Sequence, residues 1–180
     1  MGLEETTTVQ GHDASLLWTL EEISHLVSYS GDPGETLTNI VLLIQQRFLT
    51  DVCSVYLLES DRSTLVLAAT IGLHPDGVGR IRMRLDEGLV GLTAKTLKPQ
   101  VVADATMHPR FKYFPEAGED LYRSFVGVPV IERAGLQGVL VVQTIESRLF
   151  SDNEVRMLLT AGNQLAPIVS DARAERRRAQ

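Results

Sequence analysis

Between Val52 and Leu58 the chain reads Val-Cys-Ser-Val-Tyr-Leu-Leu, and neither alternate set of side chains is predominantly polar. In an extended strand, Val52, Ser54, Tyr56 and Leu58 point one way, and Cys53, Val55 and Leu57 the other. A strand apolar on both faces belongs at the centre of a sheet, covered on both sides. The remaining chain must therefore supply two covering layers. Upstream, Leu16, Leu20, Ile23 and Val27 recur with helical spacing, and Asp13 is the expected N-cap. Residues 1–12, with threonine at 6, 7 and 8 and no apolar period, are expected to be disordered. Ser30-Gly31 ends this helix. Asp32-Pro33-Gly34-Glu35 then starts a second with a cap, a proline at the first helical position and a glutamate placed for a capping box.

Downstream, Ser60-Asp61-Arg62-Ser63 turns the central strand into Thr64–Ile71, a hairpin. Arg80–Leu85 alternates arginine with apolar residues, as a strand with one wet face should. Asp86 and Glu87 precede a short helix over 88–95, where acids favour the positive helix end. Val101-Val102 is a short strand, and Ser124–Glu132 pairs with Leu136–Ile145 through Arg133-Ala134-Gly135. Ser151 to Glu154 is a second capping box opening a last helix, with a bend expected at Pro167. The arginine-rich residues 173–180 read as the start of a linker helix towards a downstream domain. Strands joined by hairpins, with helices at both ends, predict an α+β fold: a central antiparallel sheet with terminal helices on one face.

Composition narrows the function classes. At 180 residues, with 44% hydrophobic and 22% charged residues, the chain is one globular domain. Seventeen Lys and Arg against 23 Asp and Glu give a net charge of −6, a field that repels nucleic-acid phosphates and anionic membranes. Apolar runs such as Ile40–Ile44 fall far short of the ~18 residues that span a bilayer, and no signal sequence opens the chain. A cytoplasmic domain is expected, without nucleic-acid or membrane partners. The single cysteine, Cys53, has no disulfide partner and sits on the buried strand, where it reads as a small hydrophobe. His12, His25, His74 and His108 are scattered, so neither a metal nor another cofactor is expected. No nucleophile elbow or zinc-protease motif occurs, and Ala94-Lys95-Thr96 lacks the glycines that would make it the end of a phosphate loop. The chain is expected not to be an enzyme.

The irregular span 103–122 carries the candidate chemistry. It holds Asp104, His108, Phe111, Lys112 and Tyr113, and leads into Arg123 and Phe125. About 20 irregular residues inside a compact domain are more often functional than accidental. A crossover over an open sheet face makes a concave site with apolar walls and a few polar anchors.

These residues carry a resemblance. Asp86-Glu87-Gly88-Leu89-Val90-Gly91-Leu92, Ala103-Asp104-Ala105, His108-Pro109 with Phe111-Lys112-Tyr113, Phe125-Val126-Gly127-Val128-Pro129-Val130 and Gly138–Gln143 together resemble a GAF domain, a small-molecule-sensing relative of the PAS fold. More narrowly they resemble the N-terminal GAF domains of the nitrogen-related phosphoenolpyruvate-protein phosphotransferases. The resemblance covers most of the chain and places a GAF domain at 13–172. It implies about six antiparallel strands, with the first, second and last helices on one face. The 86–95 and 103–122 segments would cover a pocket on the other. It also implies a regulatory role, in which glutamine or 2-oxoglutarate adjusts phosphotransfer by a downstream catalytic domain of the same chain. The residue patterns of cyclic-nucleotide-binding and bilin-binding GAF domains are absent, and a lone Cys53 leaves no resolving thiol for sulfoxide reduction.

Two readings follow. In the first, a small amino or oxo acid lies under the crossover. Arg123 or Lys112 pairs its carboxylate, Phe111, Tyr113 and Phe125 wall the cavity, and Asp104 and His108 complete the site. In the second, the domain is a homodimerisation module relaying orientation through its terminal helices. Leu17 and Trp18 widen the apolar stripe of the first helix beyond one core-facing side and would form that interface.

Overall fold

The computed structural model describes residues 2–29, 31–112, 122–133 and 135–180, with side chains from residue 14 onward. Its elements run α1 (Gly2–Ser28), α2 (Pro33–Arg47), β1 (Val52–Leu58), β2 (Thr64–Ile71), β3 (Arg82–Arg84), α3 (Gly88–Thr96), β4 (Gln100–Val102), β5 (Ser124–Glu132), β6 (Gly135–Thr144) and α4 (Asp152–Arg178). The strands form one sheet in the order β3-β2-β1-β6-β5-β4, every neighbouring pair antiparallel. β1 is central and buried along its whole length, as its two apolar faces require. Cys53 pairs with Ile71 on one side and Val142 on the other.

The sheet separates two cores. Cys53, Val55 and Leu57 face α1, α2 and α4, packing with Leu16, Ile23, Ile40, Ile44, Leu158 and Leu165. Val52, Tyr56 and Leu58 face the other way, with Leu67, Met83, Leu89, Val90 and Phe125. The three long helices thus share one face, while α3 and the segment after β4 cover the other.

Local chemistry fixes the helix ends. The Asp32 carboxylate accepts the Glu35 N–H at 2.7 Å, with Pro33 opening the helix. At α4, Ser151 Oγ accepts the Glu154 N–H while the Glu154 carboxylate accepts the Ser151 N–H, both at 3.1 Å. That reciprocal cap satisfies two donors the helix leaves orphaned. Arg148 links the two helices. Its guanidinium donates to the Phe48 and Leu49 carbonyls, both at 3.0 Å, ion-pairs with Glu154 and lies 4.2 Å from the Phe150 ring centroid.

The structure departs from the sequence expectations in two places. α1 begins at Gly2, so Asp13 lies inside the helix and the segment expected to be disordered is helical from that point. Extending an existing helix costs far less than nucleating one, and residues 2–13 contain no proline to stop it. The Arg80–Leu85 strand shrinks to Arg82–Arg84, which pair with Val66, Leu65 and Thr64, because a turn through Gly77 and Gly79 occupies the approach. α4 continues as α-helix through Pro167, which lies on its exposed face, where solvent can satisfy the carbonyl that proline leaves without a donor.

α3 sits close against the end of β3. A Cβ added at Gly91 would lie 2.7 Å from the Arg84 carbonyl oxygen and 3.0 Å from that of Leu85. Both obstacles are backbone and cannot rotate away. Gly91→Ala is therefore expected to lower stability by about 1–3 kcal/mol through overpacking, read as a lower midpoint in chemical denaturation.

Candidate functional site

On the sheet face opposite the long helices, a cavity of about 30 Å³ opens between α3, the segment after β4 and the centre of the sheet. Met83, Phe125 and Gln143 contribute from the strands, Gly88, Leu89 and Val90 from the first turn of α3, and Ala105, Phe111 and Lys112 from the crossover. A water needs roughly 10–15 Å³ of such space, so in this conformation the cavity holds about two waters.

The turn into α3 shapes one wall. Gly88 adopts φ +65°, a left-handed conformation that favours glycine, and Glu87 takes the N-cap position without capping the helix with its side chain. Its carboxylate instead accepts the Arg84 N–H at 2.9 Å and lies 3.1 Å from Lys112 Nζ. The hydrogen bond from Arg84, then Lys112, hold the Glu87 carboxyl below the usual carboxylate range. This pair ties the crossover to the start of α3.

The sequence candidates divide. Phe111, Lys112 and Phe125 line the cavity. Asp104 lies outside its lining: its carboxylate accepts the Thr106 N–H at 3.1 Å and the Thr106 hydroxyl at 2.6 Å, closing a 3-10 turn over Ala105–Met107. His108 lies outside as well, its Nδ1 accepting the Arg110 N–H at 3.0 Å. Both residues shape the loop that presents Phe111. Arg123 is exposed at the start of β5 and also lies outside the lining, its long side chain turned to solvent while its backbone N–H continues the sheet by donating to Thr144 at 2.8 Å. Tyr113 lies outside the described residues. Sequence reasoning missed Gln143 and the first turn of α3. Gln143 did carry a signal, since it breaks the apolar set formed with Val139 and Val141 on the same face of a buried strand.

A second cleft, of about 90 Å³, lies at the other end of the molecule between the β1–β2 turn and the end of α4, with Glu59, Asp61, Arg173, Arg176 and Arg177 on its walls. Its charges are largely matched within the protein: Glu59 pairs with Arg82 and with Arg176 at 3.6 Å, and Arg173 donates to Gln137. Asp61 is held down to about 2 by hydrogen bonds from Ser63 and Thr64 in the hairpin turn. Its lining is mostly charged or polar, whereas the cavity under the crossover has mainly apolar walls, which makes the latter the better small-molecule site. Cys53 takes no part in either. It is fully buried, and burial pushes its thiol pKa up, so the nucleophilic thiolate is disfavoured. Among the described residues, no three His, Cys, Asp or Glu side chains converge as a metal-ligand set would. Nor is any helix long and apolar enough to cross a membrane.

A sheet with three helices on one face and a short helix and crossover enclosing a cavity on the other is an arrangement shared with known proteins. The sequence profile of the GAF domain family matches residues 30–170. The chain belongs to the GAF family. This GAF domain is 40% identical over 157 residues to the "phosphoenolpyruvate-dependent phosphotransferase system" protein of Escherichia coli, covering 87% of this chain and 21% of the relative. It is 32% identical over 158 residues to the Nif-specific regulatory protein of Herbaspirillum seropedicae, covering 85% of this chain and 29% of that protein. Among solved structures, the GAF domain of a phosphoenolpyruvate-protein phosphotransferase from Coxiella burnetii superposes with TM-score 0.84 at 33% identity, covering 92% of this chain and 98% of that one. The corresponding Acinetobacter domain gives 0.79 at 33% identity, covering 90% and 97%. A free methionine-R-sulfoxide reductase from Neisseria meningitidis shares the fold, with TM-score 0.76, 21% identity and coverage of 91% and 92%. The chain thus spans about a fifth of the length of its phosphotransferase-system relative. GAF domains similar to this one occur both in phosphotransferase-system proteins and in Nif-specific regulators.

The Glu87–Lys112 pair gives a pH dependence of defined sign. Because the folded-state pKa of Glu87 is lowered, its contribution is complete above the ordinary carboxylate range and is lost as pH falls through the lowered value. Hydrogen exchange at Phe111 and Lys112 should therefore accelerate, relative to the β1 amides, on acidification through that range. Glu87→Gln should show the faster exchange already at neutral pH.

Proposed function

We propose that this GAF domain is a non-catalytic, small-molecule-sensing regulatory module of a cytoplasmic protein. The observation that carries this reading is the convergence of Phe111, Lys112 and Phe125 with the first turn of α3 around one partly open cavity. Apolar walls with few polar anchors are the usual form of a small-molecule site. The ligand is a small amino or oxo acid, with Lys112 as the cationic anchor within reach of the cavity. In the conformation described, Lys112 is held by Glu87, so binding exchanges that partner for the ligand carboxylate. The cavity must also expand, by movement of Phe111 and Lys112 in the crossover. Binding then shifts the domain between two states only by as much as its affinity for them differs.

The relatives support placing the module, over 13–172, ahead of a downstream catalytic domain that transfers phosphate from phosphoenolpyruvate, with 173–180 opening the connection. Names referring to nitrogen fixation among the regulators favour nitrogen status as the signal, through glutamine or 2-oxoglutarate. Isothermal titration with each compound tests this. One of them is expected to bind, and Phe111→Ala should weaken binding by about 2 kcal/mol, roughly 30-fold, as loss of a buried aromatic anchor does. Absence of heat from both at millimolar concentration would remove these two ligands.

A second reading rests on α1. Leu17 is 59% and Trp18 65% exposed, side by side on the outer face of the helical layer. These are the positions expected to pair two copies of the chain through their terminal helices, and such a dimer could relay orientation without a ligand. Sedimentation should then show a concentration-dependent dimer that Trp18→Glu dissociates. A monomer at every concentration would exclude this reading.

A further inference from the structure

The pairing within the second cleft, between the β1–β2 turn and the end of α4, leaves a remainder of one sign. Its carboxylates are engaged: Glu59 by Arg82 and Arg176, and Asp61 by the N–H groups of Ser63 and Thr64 in the hairpin turn. Glu132, beside the cleft, accepts the Ser170 hydroxyl at 2.7 Å. The guanidiniums are less well matched. Arg173 is half-buried, and its acceptor is the neutral amide oxygen of Gln137. Arg177, one turn further along the same face of α4, makes no hydrogen bond or ion pair among the described residues. Arg62 reaches the same region from the β1–β2 turn and donates to the Leu136 carbonyl at 3.4 Å, next to Gln137 in β6. It keeps its long side chain at φ +58°, a conformation that favours glycine. Three guanidiniums therefore gather with no carboxylate among their partners. Burial, then the charges of Arg177 and Arg62, lower the Arg173 pKa from its ordinary value, as a place short of negative charge should. The dipole of α4 accounts for arginines in its last turn, at 176–178, but not for Arg173 further back.

We propose that this cleft binds a phosphate group. Arg173 and Arg177 donate to its oxygens from α4, and Arg62 closes on it from the β1–β2 turn. Guanidiniums present paired N–H donors that match phosphate oxygens, and Arg173 retains donors beyond the one given to Gln137. A dianion also offsets several unpaired cations better than a single carboxylate does. The space, about 90 Å³, holds roughly six waters and so admits the few heavy atoms of a phosphate group. Leu57, Leu58 and Val66 supply an apolar wall for the carbon part of a phosphate ester. The net charge of −6 makes this positive patch local, which suits a small anion and disfavours an extended polyanion. Bound phosphate would join the last turns of α4 to the β1–β2 turn and favour the docked arrangement of that helix end. The site lies apart from the cavity under the crossover and does not depend on what that cavity holds.

The probe is inorganic phosphate, titrated into the ¹⁵N-labelled chain at an ionic strength held constant with chloride. Phosphate should shift the side-chain Nε–H groups of Arg173 and Arg177 and the Asp61 and Arg62 amides saturably, leaving the Phe111 amide unmoved. Arg177→Gln should weaken binding about tenfold, as loss of a charge-assisted hydrogen bond does. Arg178→Gln removes the same charge from the same helix end outside the cleft lining, and should keep wild-type affinity. Phenyl phosphate separates the two sources of the group: tighter binding than inorganic phosphate assigns the cleft to a phosphate ester, and equal or weaker binding to the free ion. Absence of a saturable shift at millimolar phosphate, or wild-type affinity in Arg177→Gln, would overturn the site. Equal losses in Arg177→Gln and Arg178→Gln would also overturn it, reducing the effect to net charge. Shifts confined to Phe111 and its neighbours would move the phosphate to the other cavity and reject the cleft.

Discussion

The burial of β1 on both faces is the constraint from which the rest of the architecture follows. A strand with Val55 on one side and Tyr56 on the other must be covered twice, and the chain meets this with layers of different kinds. The helical layer is continuous, built from long amphipathic helices whose ends are fixed by Asp32, Ser151 and Arg148. The opposite layer is assembled from one short helix and an irregular segment. Such a covering has fewer apolar contacts to hold it and leaves space beneath it, which is why the cavity lies there.

The two layers also differ in how they are held. On the helical side Arg148 ties the end of α2 to the start of α4, and the cap bonds fix the helix starts, so that layer is expected to behave as a unit. On the cavity side, the Glu87–Lys112 ion pair and the Tyr122 hydroxyl, bonded to the Gly72 carbonyl at 2.9 Å, lie on either side of residues 113–121. One of these ties responds to salt and acid, whereas the other is a neutral hydrogen bond. The domain is thus divided between a persistent scaffold and a more loosely held cover.

The fold was legible because its signals are local. The period-two runs at 52–58, 64–71, 124–132 and 136–145 locate the main strands, and the caps at Asp32 and Ser151 locate two helix starts. The start of α1 was not legible: Asp13 looks like a cap, yet nothing upstream interrupts helix propagation. The site was only half legible. Phe111, Lys112 and Phe125 could be found because their residue types and spacing stand out. Asp104 and His108 have the right chemistry, but their polar atoms close local turns, an outcome fixed by backbone geometry that residue types do not reveal. The first turn of α3, Gly88–Val90, carries no polar side chain to mark it as a cavity wall. Arg148, the main link between α2 and α4, sits in a loop without periodicity, and its partners lie about a hundred residues away.

Pro129 bears on how copies of this domain can meet. β4 is short and pairs only with Phe125–Gly127, so among the described residues no strand lies along the outer edge of β5 from Val128 to Glu132. An open edge of this kind is where another polypeptide could add itself by backbone pairing. Proline in the middle of that stretch has no N–H to offer, which interrupts the ladder an incoming strand would need. Pro129 therefore resists growth of the sheet along this edge, next to the exposed Glu132, while the opposite edge strand β3 carries the exposed Arg82 and Arg84. Any contact between copies would then fall to side chains on the helical surface, where it could be made and broken without disturbing the backbone of the cavity face.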